Sequence, residues 1–187
     1  MRKLILSLAT SLDGYIEGPA GEVDWMVFSE ETGKVLGDFL QDIDTILYGR
    51  VSYEAWGNYM PSENASVFEK DFYNTTSKMQ KYVFSTSKAE FEGNPIIIKD
   101  NLNYVMNELK RQQGKNIWLY GGASLISSFV SLNLIDEFRI AVMPIILGNG
   151  KPLFKEIQNR VKLKLLKINA GKSGVVELNY EKLTDSF

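Results

Sequence analysis

The sequence predicts an α/β fold built on a mostly parallel sheet whose last strands run antiparallel. Two observations carry that reading. Up to Asp136, short apolar runs alternate with segments of helical spacing, as parallel strands joined by crossovers require. After Asp136 the helical segments stop and strands of apolar–polar alternation follow, the pattern of an antiparallel edge with one solvated face. At 187 residues, 44% hydrophobic and 24% charged, the chain suits one globular domain, 1–187, whose core needs no staples.

The elements follow in order. Lys3–Ala9 (KLILSLA) has no room for a helix before Asp13-Gly14 and reads as a central strand. Arg2 and Lys3 ahead of the uncharged stretch Leu4–Leu12 have the look of a short signal peptide. Ser7, Thr10 and Ser11 interrupt that stretch, however, and Asp13-Gly14 stands where a small-residue cleavage site belongs, so a buried strand is expected. Thr10–Asp24 holds Gly14, Gly18, Pro19 and Gly21 and reads as a long functional loop. Ser29 caps a helix to about Gln41, with Glu30 and Glu31 at the positive end of its dipole. Thr45–Tyr48 is the second strand; it ends at Gly49, and a short helix follows through Trp56. Asn58–Asn64 is a loop, and Val67–Tyr73 carries a faint helical pattern.

Lys81–Ser85 and Pro95–Ile98 are the third and fourth strands. Asn101 or Asp100 caps a helix with Leu102, Val105, Met106 and Leu109 at helical spacing, and Gly114 closes it as a C′ glycine. Asn116–Tyr120 is the fifth strand, and a helix over Ala123–Leu132 opens straight after Gly121-Gly122. Glu137–Val142, Val161–Ile168 and Val175–Leu183 are the late strands, the last two joined by a turn at Gly171–Gly174. Ile140–Gly150 is uncharged but contains Pro144 and is far short of the ~20 residues needed to span a bilayer. A soluble, cytoplasmic protein is expected.

Composition narrows the chemistry. The chain has no Cys and no His, which excludes disulfides, thiol nucleophiles, Cys- or His-ligated metals and His-assisted hydrolysis. No acidic pattern suggests an oxygen-ligated cation site, so no metal is expected. The net charge of −2 gives no broad pull toward nucleic acid or anionic membrane. An enzyme of this composition needs a cofactor for the hard chemistry.

Four segments can carry it. In NIWLYGGASLISS (Asn116–Ser128), Gly121 and Gly122 let a ligand approach the backbone, and the helix opening at Ala123 offers unpaired N–H groups to a phosphate. The bland alternative is a tight strand–helix turn. Neither G-x-G-x-x-G nor the P-loop pattern is present. In Tyr48-Gly49-Arg50-Val51-Ser52, Arg50 adds a cation of phosphate-matching geometry, unless it only makes a surface ion pair. In Phe84–Lys88 (FSTSK), three hydroxyls and a lysine follow a strand. Ser11-Leu12-Asp13-Gly14 follows strand one, with Trp25 beyond the loop. Asp13 there binds a polar heterocycle or guides a proton, or else is a turn residue, with Trp25 in the core. All four lie at strand carboxyl ends, where open α/β sheets bind ligands. Together the first three suit the phosphates of a dinucleotide, including a 2′-phosphate near Arg50 or Lys88.

In this order the segments resemble the dihydrofolate reductase superfamily, most closely the reductase domain of riboflavin biosynthesis and its small stand-alone relatives. The resemblance runs through SLDG (Ser11–Gly14), the Trp25 region, YGRVSYE (Tyr48–Glu54), VFSTSK (Val83–Lys88), WLYGGASLI (Trp118–Ile126) and LIDEFRIAVMPIILGNGKPLF (Leu134–Phe154). It implies a three-layer α-β-α sandwich, NADPH as cofactor, and reduction of a pyrimidine- or pteridine-like ring. The named candidate substrate is 5-amino-6-(5-phosphoribosylamino)uracil. The enzymatic alternative is dihydrofolate reduction, and a non-catalytic NADPH-binding sensor is the alternative from another class.

By analogy, Gly49, Arg50, Val51, Ser52, Ser85, Thr86, Ser87 and Lys88 hold the adenosine phosphates. Tyr120, Gly121, Gly122, Ala123, Ser124 and Leu125 hold the pyrophosphate and neighbouring ribose. Asp13, Gly14, Trp25 and Tyr53 line the substrate cleft. The Asp-Asp-Pro segment of the riboflavin reductase is absent, and YGRVSYEAWG stands in the corresponding region. Asp13 is the first candidate to organise the proton and Glu30 the second, since a buried carboxyl has a raised pKa. The late strands leave an apolar edge that a second copy would cover, so a homodimer is expected.

Overall fold

A computed structural model describes residues 1–183. Its strands are β1 (Leu4–Thr10), β2 (Tyr15–Glu17), β3 (Ile43–Gly49), β4 (Gln80–Phe84), β5 (Ile96–Ile98), β6 (Asn116–Gly121), β7 (Glu137–Val142), β8 (Lys151–Pro152), β9 (Leu163–Ala170) and β10 (Val176–Lys182). Its helices are α1 (Glu30–Gln41), α2 (Arg50–Ser52), α3 (Val67–Thr76), α4 (Leu102–Arg111) and α5 (Ala123–Ser131). Tyr53–Gly57 continues α2 as one wide π-type turn. Eight strands form one sheet in the order β5-β4-β3-β6-β1-β7-β10-β9. The pairs from β5 through β7 are parallel, and β10 and β9 are added antiparallel. The expected mixed sheet and its antiparallel C-terminal strands are therefore present.

Alternation along the central strands builds the three layers. Leu4 and Leu6 of β1, with Ile117 and Leu119 of β6, pack with Met106 and Leu109 of α4 and Ile126 and Phe129 of α5. Ile5 and Trp118, from the intervening positions, join Phe39 and Leu40 of α1 on the opposite face. Phe72 of α3 meets Trp118 edge-on there. The crossovers set a switch point. The chain leaves β3 for β4 on one side and leaves the adjacent β6 for β7 on the other. A crevice opens beyond the carboxyl ends of such a strand pair.

Several local expectations need correction. Asn101 takes the cap position of α4, but with φ 57 and no side-chain cap bond; its amide donates to Asp100 instead. Gly114 lies beyond the helix end, with Gln112 as cap, and a Cβ there would meet an Asp44 carboxylate oxygen at 2.6 Å. That glycine admits the Arg2–Asp44 pair rather than terminating a helix. The loop over 10–24 contains β2, which pairs with β8. Ser29 caps α1 as expected, and the Thr32 hydroxyl accepts from the Ser29 N–H in return.

The far edge carries a device the sequence reading missed. Lys167 pairs with Asn179 and Leu165 with Tyr180, so Leu166 is an inserted bulge residue. The bulge puts Leu163, Leu165 and Ile168 on one face, where they remain 38%, 45% and 54% exposed. They adjoin a shallow apolar groove lined by Phe138, Ile140, Leu178 and Tyr180. Among the described residues, no helix is long and apolar enough to cross a membrane.

Candidate active site

The ends of β3 and β6 meet at three small residues. A Cβ on Gly49 would stand 3.3 Å from the Gly122 nitrogen, and one on Gly122 would stand 3.0 Å from the Ser52 hydroxyl. Gly121 has φ +126, a conformation that favours glycine, and the Gly121–Gly122 peptide is cis. Gly122 is the N-cap of α5 and brings no side chain to its first amides. The result is a bare backbone cradle at the positive end of a nine-residue helix, suited to an anion. Leu125 packs beside Gly49, Ala123 is buried and Ser124 is exposed.

One strand along, two cations converge. Arg50 Nη1 and Lys88 Nζ reach the two oxygens of Glu54 at 2.8 and 2.7 Å. Both cations hold the Glu54 carboxyl below the ordinary range, the Lys88 hydrogen bond foremost. The Lys88 ammonium also lies 4.9 Å from the Phe91 ring centroid. Ser85 is buried, and its hydroxyl accepts the Lys88 N–H, closing the loop that presents the exposed Thr86, Ser87 and Lys88. Val51 is exposed beside them.

Asp13 sits past β1 on an exposed turn. Its carboxylate accepts the N–H of Leu147 at 3.1 Å and of Gly148 at 2.8 Å, tying down the loop that follows β7. A hydrogen bond from Ser11 and these two amides hold its pKa below the ordinary value. A raised pKa at Asp13 would require burial; the residue is exposed, and two backbone donors and a hydroxyl stabilise the ionised form. Gly14, with φ +84, makes the turn, and its N–H donates to the Ser11 carbonyl.

The remaining expected residues scatter. Tyr53 is 2% exposed and donates to the Glu92 carbonyl; it packs edge-on against Tyr48 and Phe91, so it lies in the core rather than along a cleft. Trp25 is half-buried and donates to the Glu22 carbonyl. Glu30 is exposed on the first turn of α1. Tyr120 tilts against Tyr48, with ring centroids 4.8 Å apart, and burial pushes both phenols far up, leaving them neutral. Sequence reasoning gave no role to Glu54. Its i,i+4 spacing from Arg50 was the available signal. Leu147 and Gly148 were likewise missed; they act through backbone amides, which leave no residue-type signature.

Comparison with known proteins gives the class first. Solved neighbours share the dihydrofolate reductase-like fold. One is the Enterococcus faecalis dihydrofolate reductase complexed with NADP(H), at TM-score 0.67 and 14% identity, covering 97% of each chain. Another is a Shewanella sp. PV-4 protein described as belonging to riboflavin biosynthesis, at TM-score 0.78 and 23% identity, covering 98% of this chain and 100% of that one. The family follows: the chain belongs to the RibD C-terminal domain family, whose model matches residues 2–177. It is 46% identical to the Bacillus subtilis (strain 168) protein YyaP over 179 residues, 96% of this chain and 94% of that one. The domain is of the reductase-like kind.

Proposed function

We propose that this protein is an NADPH-dependent reductase of a small pyrimidine- or pteridine-like ring, with 5-amino-6-(5-phosphoribosylamino)uracil as the named candidate substrate. The observation that supports it best is the Gly49–Ser52–Gly122 cradle beside the Arg50–Lys88 pair, at the switch point of the sheet. A bare helix mouth fits a pyrophosphate, and two cations one strand away fit a 2′-phosphate. Gly49, Ser52, Gly121, Gly122, Ala123, Ser124 and Leu125 would hold the first, and Arg50, Lys88 and their neighbours the second.

When bound, NADPH supplies a hydride, which lets a chain without Cys or His reduce a ring. The protein's share is orientation. Asp13, ionised, accepts from a ring N–H while its loop contacts fix its position; the proton for the ring then comes from solvent. Spectroscopic oxidation of NADPH against pyrimidines and pterins tests this reading. Turnover with a pyrimidine supports it. Turnover with dihydrofolate alone would select the enzymatic alternative, and binding without turnover across the panel would select the sensor.

Asp13→Asn is expected to cut turnover roughly tenfold to a hundredfold with NADPH affinity kept, the scale of one charge-assisted hydrogen bond. The pH dependence has a definite sign. The folded-state pKa of Asp13 is depressed, so its hold on the loop at Leu147 and Gly148 is complete above the unfolded value of about 3.9. That hold is lost as pH falls through the lower folded value. Wild-type turnover should therefore show no Asp13 limb near neutrality. A rate limb near pH 7 that disappears in Asp13→Asn would contradict the assignment.

The oligomeric state proposed is a homodimer, with β9 as the contact. Leu163, Leu165 and Ile168 form an exposed apolar strip on an edge strand, beside an apolar groove. A second copy related by a two-fold axis covers such a strip with its own. Light scattering at micromolar concentration should give a dimeric mass, and Ile168→Lys should give the monomer. A monomeric wild type would remove the proposal.

A further inference from the structure

Glu54 stands between two cations that come from different parts of the chain. Arg50 lies one helical turn before it, and Lys88 arrives from the loop after β4. Each cation takes a different carboxylate oxygen. Without an anion between them, the two positive groups would repel and part. The three side chains are 43%, 47% and 35% exposed, so an external anion can reach them. Neither cation is locked in the core. The free protein therefore already holds a carboxylate in the place where Arg50 and Lys88 would take a phosphate.

We propose that Glu54 is a specificity-determining residue, an internal competitor for the 2′-phosphate of the cofactor adenosine. This inference rests on the NADPH reading above. The incoming dianion must displace the carboxylate from both cations, and Glu54, still ionised, then lies close to it. That like-charge contact opposes binding of the 2′-phosphorylated ligand. A ligand with a free 2′-hydroxyl leaves the Arg50–Glu54–Lys88 bridge intact and escapes the penalty. Glu54 thus narrows the gap between NADPH and NADH that the two cations would otherwise open. It also keeps both side chains poised at the site between binding events, and it eases release of the spent 2′-phosphorylated product.

The test is calorimetric titration of adenosine 2′,5′-bisphosphate and adenosine 5′-monophosphate into the wild type, Glu54→Gln and Glu54→Ala, with thermal unfolding to show that each variant is folded. Both variants should bind the bisphosphate about tenfold more tightly than the wild type does. Affinity for the monophosphate should stay within about twofold. Bisphosphate affinity that is unchanged or weaker in both variants would overturn the proposal, since Glu54 would then serve only to hold Arg50 and Lys88 in place. A lack of preference for the bisphosphate over the monophosphate in the wild type and in both variants would instead overturn the 2′-phosphate reading beneath it. The two failures are separated by the ratio of bisphosphate to monophosphate affinity across the three proteins.

Discussion

Replacing Gly122 by Val should weaken NADPH binding by more than about a hundredfold in a chain that stays folded. The φ of Gly122 (−86) lies in the range that L-residues adopt, so glycine is not required there by φ. The space is what fails. A Cβ there lies 3.0 Å from the Ser52 hydroxyl, and the two methyl groups of valine fill the mouth of α5 where a pyrophosphate would sit. Losing two charge-assisted hydrogen bonds at about 1.5–3 kcal/mol each weakens binding by more than about a hundredfold. Calorimetry reads the affinity and circular dichroism the fold. Normal binding by a folded Gly122→Val protein would reduce the glycine pair to a turn.

The largest stability effect belongs to the opposite end of the sheet. Arg2 is 7% exposed, and its guanidinium is held by Asp44, the Thr45 hydroxyl and the Lys115 carbonyl. Asp44 also accepts the Lys115 N–H at 2.7 Å, which pins the start of β6. Asp44→Ala removes one of three partners of a buried cation. The Asp44 side chain is itself 38% exposed, and Thr45 and Lys115 still hold Arg2. The cost is therefore that of a charged hydrogen bond, about 1.5–3 kcal/mol. For a chain of this size each kcal/mol lowers Tm by about 2–4 °C, so a fall of roughly 3–12 °C is expected by calorimetric scanning. NADPH affinity, measured well below the new Tm, should stay close to wild type, since the pair lies far from the carboxyl edge.

The parallel core was legible because its strands are local signals. KLILSLA and NIWLY are apolar on successive residues, as strands buried on both faces must be, and each is followed by a glycine-marked turn. The convergence of Gly49, Ser52 and Gly122 was legible at one remove, since it follows from strand order and the carboxyl-edge rule. What stayed hidden was set by tertiary partners. Gly114 looks like a helix terminator until Asp44, seventy residues earlier in sequence, is seen to fill the space beside it. Tyr53 looks like a cleft residue by its motif, but the wide turn after α2 rotates it into the core against Tyr48 and Phe91. Asp13 could be placed but not titrated, because its pKa is set by Ser11 and by amides from a loop 134 residues away. The bulge at Leu166 leaves no local mark beyond two adjacent leucines in an alternating run.

The most direct test of the cofactor assignment is titration of NADPH and NADH into the wild type and Arg50→Ala. The Arg50 guanidinium is 43% exposed and bonds Glu54, so its removal leaves the backbone cradle as it is. The account predicts that the wild type prefers NADPH and that Arg50→Ala loses roughly tenfold to a hundredfold in NADPH affinity with little change for NADH. Equal losses for both cofactors, or no preference in the wild type, would contradict it.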